Sequence, residues 1–306
     1  MEKWTENDIP NLDGKVIVIT GANSGLGFEN SKQFAKKGAT VVMACRNLKK
    51  GEIAKNKILK DVPDAKLKLM ELNLGDLESI KQFAEEFKKE FEKLDVLLNN
   101  AGIMMVPFQK TKDGFESQLG TNFLGHFALT ALLFDVLRNT AGSRIVNVSS
   151  LAHKTGKKIE KKHFLSEEGY NKSEAYSRSK LANLLFSYEL GKRVEAKNLD
   201  MKVVAVHPGI ATTSLADHLI PYILRVIIRP IFRLFLIQSS AKGALPSSRA
   251  ATDPNVKNNE YYGPSNPKGT KGYPVKIESE GLSHDEELAK EVWSIAEELT
   301  GIQFEI

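Results

Sequence analysis

Six short runs rich in apolar residues alternate with longer stretches of helical character, and this alternation leaves the 306-residue chain few architectures. The runs lie at 15–20 (KVIVIT), 40–45 (TVVMAC), 66–72, 94–99 (LDVLLN), 144–149 (RIVNVS) and 201–207 (MKVVAVH). Near-continuous apolar strands suit a parallel sheet covered on both faces. Helices are expected at about 26–37, 48–60, 76–91, 113–139, 174–196 and 238–252. A last one is expected at about 283–299, with Ser283 and Glu286 spaced as a capping box. Asp76 is the expected cap of the third helix, and Pro246 should damage the sixth. A short final strand is expected at 260–263, and 255–276, rich in Asn, Gly, Pro and Lys, reads as a surface excursion. Such alternation implies an α/β fold with a doubly wound parallel sheet and right-handed crossovers, a Rossmann fold. No interior linker divides the chain, so 1–306 reads as one domain, with an insertion at about 212–240 and a C-terminal extension at about 255–306.

Composition removes several other classes. An apolar fraction of 42% with 26% charged residues supports a globular core and excludes a disordered, collagenous or coiled-coil chain. Cys45 is the one cysteine, which excludes an intramolecular disulfide and a cysteine-built zinc site. His126 and His153 lack paired ligands at metal spacing, so no metal is expected, and His207, before Pro208-Gly209, reads as structural rather than catalytic. The start, MEKWTENDIP, lacks the basic region and apolar run of a signal peptide, and no 20-residue uncharged apolar stretch occurs. A cytoplasmic location, with or without peripheral membrane contact, is the expectation. The net charge of +5 is spread over many helices and does not call for a nucleic-acid partner.

The turn after the first strand, residues 20–27 (TGANSGLG), is built for a nucleotide. Gly21 permits a sharp turn, while Gly25 and Gly27 remove side chains where a pyrophosphate approaches backbone amides and where helix meets strand. Asn23, Ser24 and Leu26 belong to the same cofactor-binding turn, which places the phosphate at a helix N-terminus. Further along, Tyr176 and Lys180 are four apart, so on a helix they share one face. A nearby ammonium favours phenolate and is expected to lower the tyrosine pKa toward neutrality.

The Gly-x-x-x-Gly-x-Gly spacing resembles that of the short-chain dehydrogenase/reductase family, and ordered motifs agree with it over about 14–250. They are 99–102 (NNAG), Asn122, Ser149-Ser150, Tyr176-x-x-x-Lys180, and Pro208-Gly209 with Thr213 beyond. The resemblance implies Tyr176 as the proton donor or acceptor and Lys180 as its partner and holder of the nicotinamide ribose. It implies Ser150, rather than Ser149, on the substrate oxygen, and Asn122 positioning a relay water beside Lys180. It further implies cofactor contacts at Gly21, Asn23, Ser24, Gly25, Leu26, Gly27, Arg46, Asn73, Leu74, Asn99, Ala101, Gly102, Tyr176, Lys180, Pro208, Gly209 and Thr213. NAD-preferring relatives place an acidic residue where Cys45 stands; Arg46 follows it and can pair with a 2′-phosphate, so NADP(H) is expected ahead of NAD(H). Asn73 stands where the family often has Asp near the adenine.

Residues 44–46 (ACR), 144–153, 179–183 (SKLAN) and 207–210 (HPGI) resemble the retinol dehydrogenase branch, as does the long Lys-rich insert at about 154–172, expected to be a solvated flap. That branch implies a lipophilic aldehyde, ketone or alcohol, retinoid-like or otherwise. The tail, with Trp293, Ile295, Ala296 and Leu299 on a docked helix, is expected to extend beyond that resemblance. The insertion at about 212–240 falls where the family resemblance implies a substrate lid, and from Leu219 to Ile237 it holds 14 large apolar residues, 3 Arg and 2 Pro. Two readings stand: a lid over a hydrophobic pocket, and an interfacial segment on anionic membrane. Helices four and five form dimer interfaces in such relatives, so a homodimer is one assembly implied. The alternatives to an enzyme are a non-catalytic NADP(H)-binding redox sensor and a membrane-peripheral regulator.

Overall fold

A computed structural model describes residues 3–210 and 238–306. Thr213 and the 219–237 segment therefore lie outside the described residues. The strands are β1 Val16–Thr20, β2 Thr40–Cys45, β3 Lys66–Glu71, β4 Val96–Asn99, β5 Ser143–Val148, β6 Met201–Val206, β7 Tyr261–Pro264 and β8 Pro274–Ile277. They form one sheet in the order β3-β2-β1-β4-β5-β6-β7-β8, parallel throughout except that β8 runs antiparallel to β7. The order reverses between β1 and β4, so the chain diverges at the carboxyl ends of those two strands and opens a crevice there.

Helices α1 Gly25–Lys36, α2 Leu48–Asp61 and α6 Ser240–Thr252 cover one face. Helices α3 Leu77–Glu90, α4 Gly125–Arg138, α5 Lys172–Ala196 and α7 Glu286–Thr300 cover the other. Successive strand side chains point to opposite faces. Ile17, Ile19, Val41 and Met43 thus join Phe34 and Ile58 in one core, while Val18, Val42 and Leu97 join Phe83, Phe127, Leu181 and Trp293 in the other.

Most element boundaries match expectation, and the departures have physical causes. Asp76 caps α3, accepting from the Glu78 and Ser79 amides. The helix expected over 113–139 is instead a single turn, Ser117–Leu119, then a π-helical turn, Gly120–Leu124, and then α4. The stretch Ser117–Arg138 is long and apolar enough to cross a membrane, but 78% of its most apolar window is buried, as in a core helix. Helix α6 runs unbroken through Pro246, because α1 pins it. Asn30 donates to the Ala244 carbonyl (3.0 Å) and to Ser248 Oγ (2.8 Å), and Ser248 donates to Gln33 (2.6 Å). Asp285, not Ser283, caps α7; the Ser283 hydroxyl donates to Ser279 Oγ and to the Glu280 carbonyl. The 255–276 stretch is more than an excursion, since β7 and the start of β8 lie in it and Val256, Tyr261 and Tyr262 are buried. The 154–172 insert is likewise anchored: Ile159 and Phe164 are fully buried, with the Phe164 ring 6.2 Å from that of Phe123.

Candidate active site

The glycine turn leaves the carboxyl end of β1 and borders the crevice there. Gly21 and Gly25 adopt φ of 68° and 55°, a region costly for side chains. A Cβ on Gly27 would lie 2.5 Å from the Gly21 carbonyl oxygen and 2.6 Å from Asn100 Nδ2, so helix and turn meet there without room for a side chain. Ser24 is the N-cap of α1 but makes no side-chain capping bond, which leaves first-turn amides open to an anion. Gly27→Ala should therefore force the turn apart, lower stability by about 1–3 kcal/mol and weaken nicotinamide-cofactor binding. Thermal melts with a fluorescence titration of NADPH check this; an unchanged affinity would show that the close approach is dispensable.

Tyr176 and Lys180, on α5, are 5% and 4% exposed. Lys180 Nζ lies 5.9 Å from the Tyr176 ring centroid and donates to the Val148 carbonyl at 3.0 Å. Burial lowers the Lys180 pKa to about 8. Burial also raises that of Tyr176, opposed by a hydrogen bond with Ser150. The expected depression of the tyrosine pKa is thus not realised, because desolvation penalises both the phenolate and the ammonium meant to favour it. Ser150 Oγ meets Tyr176, whereas Ser149 Oγ donates to the Lys180 carbonyl at 2.7 Å and ties β5 to α5. A Cβ on Gly102 would lie 3.2 Å from Asn122 Oδ1 and 3.5 Å from Lys180 Nζ, so these three residues converge.

Asn122 sits in the π-helical turn, a distortion frequent at functional sites. Its side chain is fully engaged: Oδ1 accepts from the Ile103 amide (2.8 Å), and Nδ2 donates to the Ile103 carbonyl and to Ser179 Oγ (both 2.9 Å). Its own carbonyl accepts from His126 Nδ1 at 2.9 Å. His126 Nε2 then meets Thr20 Oγ1 at 2.9 Å, and that hydroxyl also accepts the amides of Asn100 and Ala101, each at 2.9 Å. Thr20 therefore joins the end of β1, the loop after β4 and the π-helical turn. Sequence reasoning overlooked this role; a hydroxyl directly before the glycine turn was the available signal.

The remaining expected cofactor residues divide into several groups. Asn99 is 2% exposed and its Nδ2 donates to Thr130 and Asn147, so its side chain serves the core; Asn100 instead faces the glycine turn, donating to the Thr20 carbonyl at 2.8 Å. Asn73 Oδ1 accepts from the Gly75 amide at 3.2 Å, and Leu74 is buried against Gly125. Arg46 is exposed at the end of β2 and has no ion pair among the described residues. Cys45 beside it is buried, its thiol pushed up to about 11, and its sulfur accepts the Ala22 and Asn23 amides. Pro208 and Gly209 follow β6; the Pro208 carbonyl accepts from Gln238 Nε2 at 2.7 Å, and Gly209 has φ 67°. Gln118, also missed, accepts the Met105 amide (2.7 Å) and donates to Tyr170 (2.9 Å), bracing the loop after β4.

A family model described as short chain dehydrogenase matches residues 15–221. The chain belongs to the short-chain dehydrogenase family. It is 40% identical over 298 residues to human retinol dehydrogenase 12, an alignment covering 96% of this chain and 89% of that one. It is 36% identical to a solved protein of Mycobacterium paratuberculosis, with a TM-score of 0.83 and full coverage of both chains. A short chain dehydrogenase of Shigella flexneri, solved with NADP, shares the fold at 21% identity and a TM-score of 0.63, over 82% of this chain and 97% of that one. This family member is thus an oxidoreductase acting on CH–OH groups, related to retinol dehydrogenases, with a nicotinamide cofactor and a small alcohol or carbonyl substrate. The 96% coverage also corrects one expectation, since most of the 255–306 tail falls inside the resemblance to retinol dehydrogenases.

Proposed function

We propose that the protein is an NADP(H)-dependent oxidoreductase interconverting a lipophilic alcohol and its aldehyde or ketone, retinoid-like or otherwise. The observation that carries the proposal is the convergence of Ser150, Tyr176 and Lys180 in one buried cluster beside Asn122 and Gly102. The open first turn of α1 fits the cofactor pyrophosphate, Lys180 the ribose hydroxyls, and Arg46 a 2′-phosphate. A bound nicotinamide supplies or accepts the hydride.

The chain's own residues handle the proton. Ser150 Oγ orients the substrate oxygen, and Tyr176 donates its phenolic proton to that oxygen as the carbonyl is reduced, or removes it in the reverse direction. Lys180 stabilises the phenolate left on Tyr176. Asn122 holds the Ile103 backbone and Ser179 in place beside Lys180, where a relay water can restore the proton. A pure sensor would need no such set, so the non-catalytic reading is not favoured. A panel of lipophilic aldehydes, ketones and alcohols, assayed with both cofactors, tests the proposal; turnover with NADPH is expected, and no turnover with any pair would overturn it.

Cofactor choice and membrane contact have separate tests. Arg46→Asp should cost about 1.5–3 kcal/mol of NADPH binding, roughly ten- to a hundredfold, and leave NADH nearly unchanged. Equal loss for both, measured by competitive titration, would remove Arg46 from the 2′-phosphate. The 219–237 segment is read as a lid over the apolar substrate, with its arginines able to meet anionic headgroups. Flotation with anionic liposomes at low salt should carry the protein upward if the second role holds; absence of binding would leave the lid alone.

A further inference from the structure

The C-terminal segment reaches Ser150 through one buried histidine. Directly after Ser150, Leu151–Thr155 forms a 3-10 turn, and Ser150 Oγ caps it by accepting the Ala152 amide at 3.2 Å. His153, 1% exposed, turns its ring back across that turn. Its Nδ1 bonds the Ser150 carbonyl at 2.7 Å, and its Nε2 accepts the Glu280 amide at 3.2 Å. A carbonyl only accepts and an amide N–H only donates, so the ring is neutral with its proton on Nδ1. Burial lowers its pKa and keeps it so.

The far end of this contact is itself fixed. Glu280 pairs with Lys154 at 2.5 Å. Ser279 Oγ meets the Tyr188 hydroxyl of α5 at 2.7 Å, and Ser283 Oγ donates to the Glu280 carbonyl at 2.9 Å. The Tyr261 ring of β7 stands edge-on to the imidazole, with centroids 5.7 Å apart. Ser150 is therefore held from two sides: by β5, which it follows, and by the tail, through the imidazole. The Ser150 carbonyl also accepts the His153 backbone amide at 3.1 Å, so the imidazole supplies the second of two bonds that fix this peptide beside Oγ.

We propose that His153 is a positioning residue through which the C-terminal segment 279–284 sets the orientation of Ser150 against Tyr176. This rests on the assignment of Ser150 and Tyr176 to the reaction. The test compares full-length His153→Phe with His153→Asn, whose Nδ2 can still donate to the Ser150 carbonyl but whose side chain is too short to reach Glu280. The Phe variant is expected to lose about ten- to a hundredfold in kcat, with KM for NADPH and the NADPH dissociation constant unchanged. The Asn variant should recover only part of that kcat, because it restores the bond to the Ser150 carbonyl without the link to Glu280. Amide exchange at 151–155 and at Glu280 should rise together in the Phe variant. If that variant does not fold, His153→Leu carries the same comparison. An active wild type with an unchanged Phe or Leu variant, or an Asn variant with full wild-type kcat, would overturn the positioning role alone. A wild type inactive across the whole carbonyl panel would overturn the proposed function and this role with it.

Discussion

Tyr176→Phe is expected to lower kcat by about 10²–10⁴-fold, the range for removal of a general acid, while leaving NADPH affinity intact. The phenol is 5% exposed and, among the described residues, meets Ser150 and the neighbourhood of Lys180, so deleting one oxygen leaves that packing nearly unchanged. The cofactor turn at Gly21–Gly27 lies at the end of β1, on another element, so binding there should not register the change. Steady-state turnover beside a fluorescence titration of NADPH separates the two quantities. Retained turnover would remove Tyr176 from the proton transfer; a parallel loss of cofactor affinity would reassign it to binding.

The second large effect concerns stability in acid. Burial lowers the pKa of His126 to about 4 and that of His207 to about 3. In the folded state His126 spends its Nδ1 on the Asn122 carbonyl and its Nε2 on Thr20, and His207 Nδ1 accepts the Gly209 amide. The unfolded chain protonates both rings near pH 6.5. Between about pH 6.5 and about pH 4 the unfolded state therefore binds more protons than the folded one. The stability these neutral rings contribute is fully present above pH 6.5 and falls as pH falls, at about 1.4 kcal/mol per pH unit for each ring. Denaturant titrations at pH 7, 6 and 5 should show the decline, and His126→Gln should make its slope shallower by about one proton. The difference between the two proteins cancels the carboxylates that titrate in the same range. Identical slopes would show that His126 is already charged in the fold.

The parts of this molecule that were legible in the sequence are those encoded locally. Strand-helix alternation needs only nearest neighbours, so β1 through β6 and their helices follow from apolar runs and glycine turns. Tyr176 and Lys180 are one helical turn apart, and Gly21, Gly25 and Gly27 lie within one loop, so spacing alone brought each group together. What escaped depends on contacts between distant segments. The π-helical turn at Asn122 is held by His126 and Thr20, which are 106 residues apart. Pro246 stays in a continuous helix because Asn30 and Gln33 bond that helix from α1. Ser283 loses the capping position to Asp285 because it lies inside a 3-10 turn, Gly281–His284, that ends just before α7. The His153–Glu280 contact spans 127 residues, a separation at which no periodicity leaves a trace. The placement of the Asn99 side chain in the core escaped for a related reason: at the end of a strand one position decides between core and crevice, and here the Asn100 side chain faces the glycine turn.

The central claim is direct hydride transfer between a nicotinamide and a substrate carbon, with Tyr176 supplying the proton. Its most direct test is product analysis after reduction of a lipophilic aldehyde with NADPH deuterated at the nicotinamide C4. The prediction is one deuterium, on the new carbinol carbon, in wild-type product and almost no product from Tyr176→Phe. Unlabelled alcohol from both diastereomers of the deuterated cofactor, or equal labelled product from the two proteins, would contradict it.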